Sequence, residues 1–271
     1  MKTPAAILAE LHKPLELDEV EIPKLDYGQV LTQVEVSRIC GTQVGEIDGF
    51  KGPDHFLPHL LGHEGGGVAL ETGPGVRHIK QGDRVVLHWR PSTGIQSVTP
   101  TYERHGQKVN AGWVTTFNRY AVVSENRLTP VPKTVDFELA SLMADTLTSG
   151  FGIINNDAKV RIGESVVIFG CGGIGLGVVL GARLAGACPL IGVDLYPHKL
   201  EKARQHGATH TINSKESDVA QVVHSLVGSQ GADVVIDGTG NSKVIELAYE
   251  LTHPHGRCIL FGVYPFGEGH A

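Results

Sequence analysis

Ser165-Val166-Val167-Ile168-Phe169-Gly170-Cys171-Gly172-Gly173-Ile174-Gly175 is the stretch that decides the fold. A short apolar run followed at once by Gly-x-Gly-x-x-Gly reads as a buried strand turning into a helix. The glycines let the backbone turn tightly and approach a pyrophosphate, and a helix N-terminus favours negative charge. A helix-compatible stretch, 173–185, comes next, then an apolar run, 190–194, that ends at Asp194. A carboxylate there accepts the ribose hydroxyls of NAD and repels the 2′-phosphate of NADP. Gly170, Gly172, Gly173, Ile174, Gly175 and Asp194 are therefore the expected dinucleotide-binding residues. A glycine-rich turn with a surface Asp is the plain alternative, but strand, loop, helix and next strand stand here in the required order. FAD fits less well, because the unit lies mid-chain behind a β-rich half.

The same rhythm continues outward from this loop. Apolar runs at 165–169, 190–194, 208–212, 233–237 and 258–263 alternate with helical stretches at 173–185, 197–206, 218–227 and 241–251. Alternating strand and helix implies a parallel sheet covered on both faces. The first half differs. Its short apolar runs, such as 30–36, 67–71, 84–88 and 120–123, are separated by Gly, Pro and Asp and read as β-structure. Two domains are expected, 1–149 and 150–271. With 271 residues and 41% hydrophobic content, the chain can bury a core in each.

Composition removes several function classes. A formal charge of −6 with no basic block argues against a nucleic-acid partner. No long apolar segment or basic-then-apolar leader is present, so neither a membrane span nor secretion is expected. The four cysteines, Cys40, Cys171, Cys188 and Cys258, are too scattered for a disulfide framework, and a reducing cytoplasm is the expected location.

Metal-ligating candidates are weak when taken singly. Cys40 opens Cys40-Gly41-Thr42-Gln43, and His63 lies in Gly62-His63-Glu64-Gly65-Gly66-Gly67, at no short zinc spacing from it. Context changes this. These two motifs, followed by Gln81-Gly82-Asp83-Arg84-Val85 and then the glycine loop, resemble in order the medium-chain dehydrogenase/reductase family, in particular its zinc alcohol and polyol dehydrogenases. The resemblance covers essentially the whole chain, to about residue 265. It implies a GroES-like catalytic domain, a Rossmann NAD-binding domain, one catalytic zinc and an alcohol substrate. Cys40 and His63 match two zinc ligands. Glu64 matches a carboxylate beside the metal, as alternate ligand or supporting group. Asp145, in Met143-Ala144-Asp145-Thr146, stands where the third ligand is usually Cys, and carboxylate oxygen is an acceptable zinc ligand. Thr42 matches the hydroxyl that takes the alcohol proton. Ser149 matches a residue packed on the nicotinamide, Lys199 one near the adenosine ribose, and Thr239 lies in a loop near the nicotinamide ribose. The Val263 backbone matches the carboxamide contact.

The departures are as informative. The stretch 89–112 contains no Cys, so the structural zinc of many relatives is absent, and the segment with Trp89, Tyr102 and Trp113 is expected to be held by packing. Gly45 replaces a His of the usual proton relay, so the proton is expected to leave through water, the cofactor ribose or another His; His55 and His59 are candidates by proximity in sequence only and read first as plain loop residues before Gly62. Gln43 replaces a common acidic residue and is expected to weaken zinc binding. Only five Rossmann strands are counted, against six in a full sheet. The sixth strand and the return to the catalytic domain are not in this sequence, so the fifth strand is expected to be left as an edge, in a fragment, a natural truncation, or a chain that a second copy or another partner completes. The expected function is NAD-dependent oxidation of a secondary alcohol, polyol or sugar-like hydroxyl. The alternatives are a non-catalytic NAD-binding fragment and, less favoured by Asp194 and the ligand set, a zinc-free NADPH reductase.

Overall fold

The computed structural model describes residues 1–262. The chain divides between Asp145 and Thr146 into two compact units. The division lies four residues before the expected 149/150 boundary, because the helix at Thr146–Gly152 packs along the first helix after the glycine loop.

The first unit contains β1 (Lys2–Leu8), β2 (Glu16–Glu21), β3 (Gln29–Ser37), α1 (Gly41–Ile47), β4 (His59–Leu60), β5 (Glu64–Thr72), β6 (Arg84–His88), β7 (Thr101–Arg104), β8 (Gln107–Asn110), β9 (Tyr120–Ser124), β10 (Leu128–Pro130) and α2 (Phe137–Ala144). Strands β1-β2-β7-β8-β4 close into a barrel, and β10-β6-β5-β3-β9 form a five-stranded sheet. β1 shows why it is a strand. Thr3, Ala5 and Ile7 are buried while Lys2 and Pro4 face out, the period of two that one buried face demands. α2 lies across β5, β6 and β3. A Cβ at Gly66 would stand 2.7 Å from the Phe137 carbonyl oxygen, so glycine there lets β5 and α2 approach closely.

Residues 89–100 join β6 to β7 without regular structure. Packing alone does not hold this segment, which corrects the expectation. The 3-10 turn Glu125–Arg127 organises it. The Glu125 carboxylate accepts the N–H groups of Arg77, His78 and Ile95 at 2.6, 2.7 and 2.8 Å. Ser124 Oγ accepts the Ser97 N–H at 2.9 Å, and the Trp113 indole donates to the Ser97 carbonyl at 2.9 Å. A polar loop with many backbone groups needs partners for them, and this turn supplies them. Tyr102 does pack as expected: it is 1% exposed, and its hydroxyl accepts the Val122 N–H at 2.7 Å.

The second unit runs α3 (Thr146–Gly152), β11 (Val166–Phe169), α4 (Gly173–Leu184), β12 (Leu190–Asp194), α5 (Pro197–His206), β13 (His210–Asn213), α6 (Val219–Val227), β14 (Ala232–Asp237), α7 (Ser242–Glu250) and β15 (Thr252–Leu260). The strands pair in parallel in the order β13-β12-β11-β14-β15. This is the expected Rossmann-type α/β sheet. Two apolar layers form, one centred on Ile168, Val178 and Ile236 and the other on Val167, Val223 and Val235. Asp218 and Asn241 cap α6 and α7 through side-chain oxygens, each contributing about 1 kcal/mol. β15 begins six residues before the expected start at 258. A register shift between Ala232 and Val234 accommodates it, and its polar first half explains why the apolar pattern hid it. Among the described residues β15 is an edge strand, and Val263 lies outside them. No described helix is long and apolar enough to cross a membrane.

Candidate functional site

In the first unit, three separate elements bring three ligand-bearing residues together. Cys40 is the N-cap of α1 with extended backbone (φ −110°, ψ 155°), His63 immediately precedes β5, and Asp145 follows the last residue of α2. Their ligand atoms lie within 4.8 Å of one another, and His63 Nε2 is 3.7 Å from Asp145 Oδ2. Zinc bonds of about 2.0–2.3 Å place tetrahedral ligand atoms roughly 3.5 Å apart, so the donor set fits zinc with a small closure. One sulfur, one imidazole nitrogen and one carboxylate oxygen leave a fourth position open, the pattern of catalytic rather than structural zinc.

The electrostatics of the three groups favour a cation among them. The hydrogen bond with His63 is the main influence on Cys40 and holds its thiol pKa below the ordinary value. Burial pulls the His63 pKa down, but hydrogen bonds with Asp145 and Cys40 outweigh it and raise the pKa to about 9. Gln43, buried behind them, works against this charge. Its side-chain oxygen accepts the Cys40 N–H at 2.9 Å, so it turns its amide nitrogen, a donor, toward His63 Nδ1. Gln43 thus fixes Cys40 and His63 while offering the histidine no acceptor.

The other residues expected at this site divide. Thr42 is half-buried, with Oγ1 3.6 Å from Cys40 Sγ. Glu64 is 1% exposed at the start of β5, and its carboxylate is not among the three converging ligand groups. His59 is tied at both ring nitrogens, to Asp54 Oδ2 at 2.9 Å and to the Leu60 carbonyl at 3.0 Å, which makes it a structural residue of its loop rather than a relay. From the sequence, Trp89 is expected only to pack. Its indole N–H donates to Asp145 Oδ1 at 2.9 Å, a contact no local sequence signal announces.

A cavity of about 840 Å³ in the same unit is lined by His63, Trp89, Trp113, Phe56 and Leu60, with Glu46, Lys51, Asp54, His55, Asn110 and Arg127 among its polar and charged groups. Its size lies in the range of small-molecule sites, roughly 300–1,000 Å³.

In the second unit the glycine loop has the expected shape. Gly170 has φ +91°, and a Cβ at Gly175 would lie 1.9 Å from the Gly170 carbonyl oxygen, so the turn closes only on glycine. Gly172 is the N-cap of α4, and Gly173 and Ile174 form its first turn. Asp194 is 9% exposed at the end of β12. It braces the loop as well as facing it: Oδ2 accepts the Cys171 N–H at 2.8 Å and Oδ1 the Tyr196 N–H at 3.0 Å. Lys199 Nζ is 4.0 Å from Asp194 Oδ2, and Lys199 and Lys215 both lie over the Tyr196 ring. The Thr239 hydroxyl donates to Asp237 Oδ1 at 2.7 Å and holds its own loop. Ser149 lies in α3.

Comparison with known proteins agrees with this architecture. Residues 26–133 match the alcohol dehydrogenase GroES-like domain, and residues 173–270 match the zinc-binding dehydrogenase family. The chain is 35% identical to S-(hydroxymethyl)glutathione dehydrogenase of Paracoccus denitrificans, over 98% of this chain and 80% of that protein. It is 34% identical to alcohol dehydrogenase class-3 of Cereibacter sphaeroides, with the same coverage. Among solved structures, benzyl alcohol dehydrogenase from Acinetobacter calcoaceticus superposes with a TM-score of 0.88 at 26% identity, covering all of this chain and 80% of that one. A zinc-binding dehydrogenase from Sinorhizobium meliloti bound to NADP superposes with a TM-score of 0.81 at 27% identity, covering 99% and 79%. The chain therefore belongs to the zinc-containing alcohol dehydrogenases of the medium-chain dehydrogenase/reductase family, oxidoreductases that use zinc and a nicotinamide dinucleotide.

Proposed function

We propose that this chain oxidises a secondary alcohol, polyol or sugar-like hydroxyl with NAD as hydride acceptor, and that Cys40, His63 and Asp145 hold the zinc. The convergence of those three ligand atoms beside a cavity of substrate size carries the reading. Bound there, zinc supplies Lewis acidity that lowers the pKa of an alcohol toward neutrality. Thr42, beside Cys40, is placed to accept the hydroxyl proton and pass it outward. With Gly45 at the usual relay position and His59 engaged elsewhere, solvent, the cofactor ribose or His55, which lines the cavity, is the outlet for that proton. Trp113, Phe56 and Leu60 give the cavity apolar walls and Glu46, Lys51, Asp54 and Asn110 give it polar ones, so it suits an alcohol with an apolar body and further hydroxyls alike. Asp194 favours NAD by accepting ribose hydroxyls and disfavouring a 2′-phosphate.

The test is turnover by the zinc-loaded chain against a panel of aromatic, aliphatic and polyhydroxy alcohols, with NAD and NADP compared and nicotinamide absorbance as the signal. NAD reduction with secondary alcohols, polyhydroxy ones included, is the expected result. Zinc and NAD binding without turnover on any of them would instead establish the non-catalytic alternative.

A further inference from the structure

The cavity and the candidate metal centre share Trp89. This residue directly follows β6, and its ring lines the cavity while its indole N–H turns inward to Asp145 Oδ1 at 2.9 Å. The other oxygen of the same carboxylate, Oδ2, is the one that lies 3.7 Å from His63 Nε2. The two oxygens of Asp145 are thus divided between an indole and the ligand cluster. Asp145 itself sits at the break between α2 and α3 with φ −145° and ψ −54°, outside helical geometry, so the helix does not by itself aim the side chain. A carboxylate has two equivalent oxygens and two usable binding modes, one-oxygen and two-oxygen. A cysteine sulfur at the same place would have neither ambiguity.

We propose that Trp89 is a positioning residue for Asp145: its indole N–H holds Oδ1 and so presents Oδ2 to the metal as a single-oxygen ligand. Charge-assisted hydrogen bonds of this kind are strong and directional. Partners that orient metal ligands change metal affinity by roughly 10–100-fold when removed. The proposal rests on the zinc site assigned under the proposed function, and the experiment separates the two.

Zinc affinity of the full chain is measured by competition with a chromophoric chelator for wild type, Trp89→Phe, Asp145→Cys and the double variant. Trp89 is 47% exposed, so phenylalanine is tolerated there, and melting of the metal-free proteins checks folding. The expected result is affinity lost by about tenfold or more in Trp89→Phe, and no further loss from Trp89→Phe in the Asp145→Cys background, where no second oxygen needs holding. Equal affinity of wild type and Trp89→Phe, or the same loss in both backgrounds, would overturn the positioning role. Absence of zinc binding by wild type would instead overturn the metal site itself. A second readout uses the protein's two tryptophans. A Trp113→Phe chain isolates Trp89, and its emission is expected to change with zinc and saturate at one equivalent; an emission indifferent to zinc contradicts the proposal.

Discussion

Gln43 meets His63 donor-first: the amide nitrogen, not the oxygen, faces Nδ1, because the oxygen is committed to the Cys40 N–H. A histidine bound to metal through Nε2 carries its proton on Nδ1 and needs an acceptor there. Gln43→Glu provides an acceptor for both Cys40 and His63. Zinc affinity, read by chelator competition, is expected to rise about tenfold. Unchanged or weaker binding would show that the contact has no bearing on the metal.

Gly175 and Gly170 touch across the dinucleotide loop. With a Cβ at 175 only 1.9 Å from the Gly170 carbonyl oxygen, Gly175→Ala must push the loop open. Overpacking of this kind costs about 1–3 kcal/mol. Calorimetric melting is expected to show that loss, and NAD titration a weakening of roughly tenfold or more, since 1.4 kcal/mol is a factor of ten. An alanine variant with native stability and NAD affinity would contradict the loop geometry.

Glu125 accepts three backbone N–H groups and so ties the 89–100 segment, through Ile95, to the loop before β6, through Arg77 and His78. Burial pushes its carboxyl pKa up, but the N–H groups of His78, Arg77 and Ile95 outweigh that and hold it below the ordinary value. A folded pKa below the unfolded one means the carboxylate stabilises the fold above the unfolded value. That stability is lost as pH falls through the folded value. Glu125→Gln puts an NH₂ where one oxygen now is and leaves at least one N–H without an acceptor, a cost of about 1–3 kcal/mol. Urea melts at neutral pH are expected to show this loss. The difference between the variant and wild type should shrink as both are taken to acid. A gap independent of pH would rule out the charged carboxylate as its source.

Asp194 is expected to set cofactor choice. Lys199 and Lys215 flank Tyr196 beside it, so removing the carboxylate leaves a positive neighbourhood suited to a 2′-phosphate. Asp194→Ser is expected to move the ratio of kcat/KM for NAD over NADP toward NADP by about tenfold or more, the effect of roughly 1.4 kcal/mol. Because Asp194 also braces the loop through the Cys171 N–H, both activities are expected to fall; the ratio is the readout. An unchanged ratio would remove Asp194 from cofactor selection.

These residues also mark what the sequence could show. The Rossmann half was legible because its central strands are buried on both faces: every residue of β11 and β12 is buried, and the pattern is a plain apolar run. The opening of β15 was hidden because Thr252-His253-Pro254-His255-Gly256-Arg257 carries no such run, although the backbone pairs there. The metal candidates were readable only through the ordered family motifs. Cys40, His63 and Asp145 are distant in the chain and come from a helix start, a strand start and a helix end. The contacts of Gln43, Trp89 and Glu125 depend on the path of the chain between elements, which no local spacing encodes.

Cys40, His63 and Asp145 are proposed to hold one zinc ion. The decisive measurement is elemental analysis of the zinc-equilibrated, chelator-washed chain, with anomalous scattering at the zinc edge to place the metal. One zinc per chain is predicted, located among these three side chains, and its loss is predicted in Cys40→Ser and His63→Ala variants that still melt cooperatively. A folded chain without zinc, or zinc retained by both variants, would contradict it.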